Sequence, residues 1–221
     1  SLTEWARSPT NKILLLGTDD ANSQALGPIN RAIIKRVSEL VTSRTEENPK
    51  DETWFFLDEA RMAGQLDGLP ALLLAGRSKG AHVVIGFQDI QGLRAVYGQQ
   101  VAEESVAQCG NIAFLRLNGP ASQQWASQFF GKYEEYVQSF GVSHSSSAQG
   151  SSSSTSTNWN LQQREAFLEQ EFRNLPKPRK GQGIPGMFAT PESGAWSGFM
   201  PDSFVSEHLG PGFDGNSEFL A

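Results

Sequence analysis

Short apolar runs alternate with stretches of helical periodicity through the first two-thirds of this chain, and that alternation limits its fold more than any other feature. Residues 12–17 (KILLLG) form a continuous apolar run, the pattern of a strand buried on both faces. Pro28 is expected to open a helix in which Ile29, Ile33, Val37, Leu40 and Val41 recur at helical spacing. After a polar turn at residues 48–51, Thr53–Leu57 (TWFFL) reads as a second buried strand, ending on Asp58 and Glu59. A helix with Leu66, Leu69 and Leu73 on one face follows and closes at Gly80. Residues 81–87 (AHVVIGF) predict a third strand, residues 101–109 a helix, and residues 112–117 (IAFLRL) a fourth strand. Asn118-Gly119-Pro120 then opens a helix carrying Trp125, Phe129 and Phe130, stopped by Gly131. Strands and helices in this order predict right-handed crossovers and an α/β core with a mostly parallel sheet.

The texture changes after residue 131. Residues 136–142 alternate apolar and polar, as an edge or hairpin strand does. Residues 143–157 are nearly all Ser, Gly and Thr, too polar to bury anything, and are expected as a flexible loop. From Leu175 onward Pro, Gly and isolated aromatics predict an extended tail. Hydrophobic residues make up 38% of the chain, and the shortfall against a globular average falls in this last third. No apolar run approaches the ~20 residues that span a bilayer. The lone Cys109 excludes an internal disulfide and a zinc cluster, and suits a reducing compartment. A net charge of −6 argues against a surface that grips nucleic acid all over, while leaving room for a local basic loop.

The chemistry concentrates at Trp54-Phe55-Phe56-Leu57-Asp58-Glu59. An apolar strand ending in two carboxylates places them at the carboxyl edge of the sheet, where open α/β folds hold ligands. Phosphoryl transfer from ATP needs one carboxylate on Mg²⁺ and often another to orient the attacking water. Asp58 suits the first role and Glu59 the second; an acidic pair that merely caps the next helix fits the same letters. Gln88 follows the third strand at the same edge, placed like a sensor of the γ-phosphate or its water, although a turn glutamine needs no such role. Arg77, in Gly76-Arg77-Ser78-Lys79-Gly80, falls at the opposite edge. It is badly placed for its own subunit and suited to a neighbour's site in trans, or simply to the carbonyl end of its helix.

The ordered set of Trp54 to Glu59, Leu69-Pro70, Gly76 to Gly80, Ile85 to Asp89 and Tyr97-Gly98 resembles the type IV coupling proteins, the TraD/TraG-like ATPases of bacterial conjugation. Gln108-Cys109-Gly110-Asn111, Gly131, Glu134, Glu171-Phe172 and Leu175-Pro176 continue the likeness over roughly residues 1–190. The resemblance implies a RecA-like P-loop NTPase core over residues 1–138 and a Ser-rich flexible loop over 139–160. The end of the motor domain would then occupy 161–190, and a disordered tail 191–221. It implies a homo-hexamer on the cytoplasmic face of the inner membrane, moving DNA with ATP and Mg²⁺ and working with a relaxase and other secretion-system proteins. Asp58 and Glu59 resemble the Walker B pair, Asp58 holding Mg²⁺; Arg77 resembles the arginine finger, and Gln88 the sensor glutamine in contact with nucleotide. No G-x-x-x-x-G-K-[ST] occurs here. In the family that motif and the membrane helices lie upstream, so this stretch by itself is expected to be inactive. An FtsK/HerA-like translocase, a secretion assembly ATPase and a non-catalytic adaptor remain open readings.

Other features are weaker. Gly181-Gln182-Gly183-Ile184-Pro185-Gly186 satisfies a dinucleotide fingerprint, but it follows a proline-broken basic segment rather than a strand and is read as a loop. Lys177, Arg179 and Lys180 form either a phosphate contact or a solvated linker. His82, His144 and His208 are too scattered for a metal site. Trp125, Phe129 and Phe130 read as core before they read as base-stacking platforms. The tail from Ser193, with Asp202, Glu207, Asp214 and Glu218 among aromatics, suits either partner docking or disorder.

Overall fold

A computed structural model describes residues 1–7, 13–17, 23–45, 52–147, 150–179, 182–203 and 207. The chain divides into two compact units, Ser1–Ile112 with Thr190–Glu192, and Ala113–Ala189 with Ser193–Ala221.

The first unit begins with helix α1 (Leu2–Arg7) and the long helix α2 (Ser23–Thr42). Pro28 lies inside α2 rather than opening it. There it lacks the amide that would bond the carbonyl four residues earlier. The apolar stripe of α2 is narrower than its sequence suggests, with Val37, Leu40 and Val41 buried and Ile29 54% exposed. Strand β1 (Thr53–Leu57), helix α3 (Leu69–Ala75), a 3₁₀ turn at Arg77–Lys79 and strand β2 (Ala81–Ile85) follow. Gly80, at φ 74°, supplies the left-handed residue that turns the chain into β2. The two strands pair parallel, from Thr53 opposite Ala81 to Leu57 opposite Ile85. Val37, Val41, Phe55, Leu72 and Ala81 form the core, with Leu2, Trp5, Ile33 and Val83 packed against it. On α3 the buried residues are Leu69 and Leu72, not Leu69 and Leu73.

Arg44 ties the amino-terminal edge of this sheet together. Its guanidinium donates to the Lys79 carbonyl (3.0 Å), the Ala6 carbonyl (3.0 Å) and Thr53 Oγ1 (2.7 Å). The unit closes with helices α4 (Ile90–Tyr97) and α5 (Gln99–Ala107). The sequence reading missed α4; its start is marked by Asp89, whose side chain accepts from the Gln91 amide at 3.0 Å as an N-cap.

The second unit contains β3 (Ile112–Phe114, continuing from the first), α6 (Pro120–Phe130), β4 (Lys132–Ser147), β5 (Gly150–Glu165), α7 (Glu169–Asn174), β6 (Ile184–Thr190) and β7 (Gly194–Met200). Phe114, Phe130, Phe167 and the fully buried Phe172 make an aromatic core, with Phe130 and Phe167 centroids 4.7 Å apart edge to face. Ser127 Oγ donates to the Phe167 carbonyl at 2.7 Å and so fastens α6 to the segment between β5 and α7.

The α/β class stands, with five corrections. Among the described residues the parallel sheet is β1–β2 alone, because β3 pairs in a separate sheet of order β3-β6-β7. Residues 13–17 are not a strand, and Ile13 and Leu15 lie open to solvent. A strand needs a paired edge, and apolar content alone does not supply one. β1 is buried on one face, with Phe55 inside and Trp54 and Phe56 outside. The Ser-rich stretch expected as a flexible loop runs, over 139–147 and 150–160, in two strands of a continuous hairpin. Likewise β7 occupies part of the tail expected to be disordered. Gly183 precedes β6, and Pro185 and Gly186 lie within that strand, so they form no dinucleotide turn. The polar turn at 48–51, Lys180, His208, Asp214 and Glu218 lie outside the described residues.

Candidate functional site at the carboxyl end of the parallel strands

The parallel register sends β1 and β2 out of the sheet side by side. The Gly86 amide donates to the Leu57 carbonyl and the Ala60 amide to the Gly86 carbonyl, both at 2.9 Å. These bonds hold residues 58–60 against residues 86–88 one step beyond the strands. Asp58 is exposed, and its Oδ1 accepts from the Glu59 amide at 3.0 Å. A Cβ on Gly86 would stand 3.0 Å from that oxygen, so the glycine leaves room for the carboxylate. Glu59 sits at φ 50°, a left-handed conformation rarely taken by a residue with a side chain. The cost, of order 1–3 kcal/mol, is borne where the chain reverses to aim a carboxylate across the edge. Gln88 Nε2 donates to Glu59 Oε1.

The structure thus brings Asp58, Glu59 and Gln88 together. Arg77 stands apart, exposed on the 3₁₀ turn that precedes β2. The five residues of β2 separate that turn from the Gln88 loop. At about 3.3 Å per residue the separation is roughly 17 Å, too far for Arg77 to reach its own Asp58.

An open cleft of about 380 Å³ lies here, lined by Glu59, Arg61, Met62, Gln88 and Asp89. Arg61 was missed by the sequence reading. Its stem packs against Gly92, where a Cβ would come within 2.8 Å of Arg61 Cδ. The only sequence signal is that small residue in an otherwise ordinary helix. Tyr97, beside Gly98, has a structural role that its sequence context does not declare. Its hydroxyl accepts from the Leu66 amide (3.2 Å) and donates to the Gly64 carbonyl (3.3 Å), anchoring the far end of the segment that begins with Asp58 and Glu59. Burial pushes its phenol above the ordinary value of 10.0, partly offset by the Leu66 hydrogen bond, with Asp67 adding to the rise.

A hard divalent cation takes oxygen ligands, and at this edge the Asp58 carboxylate is the group that would hold one. Among the described residues no cluster of three or more His, Cys, Asp or Glu offers a dedicated metal cage. Also among them, no helix is long and apolar enough to cross a membrane.

Solved structures share this α/β fold. The bacterial conjugative coupling protein TrwBdeltaN70, in its unbound monoclinic form, superposes with a TM-score of 0.73 at 21% identity, over 90% of this chain and 43% of that one. The plasmid coupling protein TrwB in complex with ADP and Mg²⁺ gives 0.67 at 22% identity, over 91% and 41%. TrwB with a non-hydrolysable ATP analogue gives 0.66 at 22%, with the same coverage. This chain therefore spans less than half the length of those structures. Residues 1–188 match the type IV secretion-system coupling protein DNA-binding domain, and the chain belongs to that family. Among curated proteins no relative matches it.

Proposed function

We propose that this chain supplies the Walker B, sensor and trans-acting arginine elements of a conjugative coupling ATPase that moves DNA. The convergence of Asp58, Glu59 and Gln88 on one edge of a parallel sheet carries the reading. Asp58 would hold Mg²⁺, which neutralises phosphate charge when bound. Glu59 orients the attacking water and takes its proton, and the Gln88 amide fixes the direction in which that carboxylate points. Arg77, at the opposite edge, serves the site of a neighbouring subunit in a homo-hexameric ring, where a guanidinium stabilises developing charge on phosphate. DNA in the ring pore, relaxase delivery and attachment to the inner membrane through helices upstream belong to the same reading, as does inactivity of this chain alone. The nucleotide complexes of TrwB support it, since this chain shares the fold of part of the protein that is in complex with ADP and Mg²⁺ there.

The test uses the complete protein that carries this chain. Glu59→Gln should retain nucleotide binding and lower turnover at least ~100-fold, the scale of a lost general base. Unchanged turnover removes Glu59 from the mechanism and leaves the acidic pair as residues of the turn after β1. In rings mixed from Arg77→Ala and Glu59→Gln subunits, activity should exceed that of either variant alone. Activity no higher in the mixed rings than in either variant alone would overturn the assignment in trans.

A further inference from the structure

The hairpin β4–β5 is amphipathic, and its apolar face is bare. Residues two apart on a strand share a face, and directly opposed residues share it too. The register pairs Tyr136 with Leu161, Gln138 with Trp159, Phe140 with Thr157 and Val142 with Thr155, so one face carries Tyr136, Phe140, Val142, Trp159 and Leu161. Tyr136, Phe140 and Trp159 are 67%, 68% and 63% exposed. The other face satisfies itself: Asn160 Nδ2 donates to Ser139 Oγ at 3.1 Å, Ser143 and Ser154 hydroxyls meet at 2.8 Å, and Arg164 pairs with Glu135 at 3.2 Å. Isolated two-stranded hairpins are marginal in water, and this one runs 16 residues on each strand with its apolar side left exposed among the described residues.

We infer that this face packs against the same face of a second copy of the chain, forming a small four-stranded sandwich. Charge decides the class of occupant. Residues 136–161 contain no Asp, Glu, Lys or Arg. A nucleic-acid strand would find aromatic rings and no cation for its phosphates, and a charged peptide would find no counter-ion. An identical neutral stripe meets no such penalty. With the two hairpins antiparallel, Lys132, Glu134 and Glu165 at the base of one lie over the Ser-rich end of the other, so like charges do not oppose. The area suffices. Three aromatics of about 150–250 Å² each, two-thirds bare, give roughly 400 Å² per copy. Val142 and Leu161 bring two copies to about 1,000 Å² or more buried, the size a specific interface needs. The contact is two-fold and isologous, unlike the head-to-tail contact that an arginine in trans requires, so either proposal stands or falls without the other.

Sedimentation equilibrium on the 221-residue chain tests it, since the monomer is 24.1 kDa. The mass should climb toward twice that value with concentration. The triple variant Tyr136→Thr, Phe140→Thr, Trp159→Thr keeps strand-forming residues and should weaken association at least ~100-fold, as loss of a cluster of aromatic anchors does. Tyr133→Thr, on the polar face, should leave association unchanged. Hydrogen exchange on the unsubstituted chain gives a second readout, with amides of residues 136–161 gaining protection as concentration rises. A monomer throughout, a triple variant that associates as tightly as the parent, or protection independent of concentration each overturns the inference. So does an oligothymidylate that binds the parent chain and not the triple variant while self-association is unaltered, which would assign the face to nucleic acid.

Discussion

The parallel pair β1–β2 and the antiparallel pair β4–β5 each contain two strands, yet different forces hold them. β1 turns Phe55 into a core shared with α2 and α3, and short strands of five residues suffice because helices cover one face. β4 and β5 are more than three times as long and bury almost nothing, so backbone pairing and the polar face carry them. A sheet anchored by a core can present catalytic side chains at a fixed edge. One held by its own ladder can present a long surface but no deep cleft.

Four substitutions can break or sharpen that contrast. Phe55→Ala should cost about 3–5 kcal/mol in chemical denaturation, because it removes a ring from the centre of a packed cluster. Arg44→Ala should cost about 2–3 kcal/mol, since it orphans the Lys79 and Ala6 carbonyls that the guanidinium now joins. Tyr97→Phe should cost about 1–2 kcal/mol by leaving the buried Leu66 amide without its acceptor. This variant also carries a pH signature. The folded phenol ionises above the ordinary 10.0, so its contribution is full below pH 10. As pH rises further the unfolded chain ionises first, and stability falls toward the folded pKa. The Phe variant should lose that slope in denaturation curves taken across pH 9 to 11. Phe140→Ala, measured at dilutions where the chain is monomeric, should change stability by less than ~0.5 kcal/mol, as exposed sites do. A loss as large as that of Phe55→Ala would mean that the hairpin face is already covered within the chain.

The site was more legible than the sheet around it. The carboxyl-terminal position of Asp58, Glu59 and Gln88 follows from two apolar runs with a helix between them, because parallel strands joined by a crossover must end on the same side. The remote place of Arg77 follows from the same rule. The capture of Glu59 by Gln88 had no sequence signature, and the packing of Arg61 on Gly92 only that small residue, since each depends on atoms brought together from separate segments. Sequence also misjudged residues 143–157. Serine and glycine argue against burial, and that part of the reading agrees with the exposed hairpin. They do not forbid pairing once β4 and β5 start in register from Lys132 opposite Glu165.

By itself, then, the order of apolar runs, helix signals and breakers determined the α/β class, the strands Thr53–Leu57 and Ala81–Ile85, the helix Pro120–Phe130 and the edge on which the carboxylates stand. These depend on periodicity and chain connectivity, which are local. Tertiary structure alone decided which strands share a sheet, which face of β1 is buried, and that a polar tract would stand as a hairpin. Pairing partners and buried faces are set by long-range contacts, and no local pattern encodes the far side of a contact.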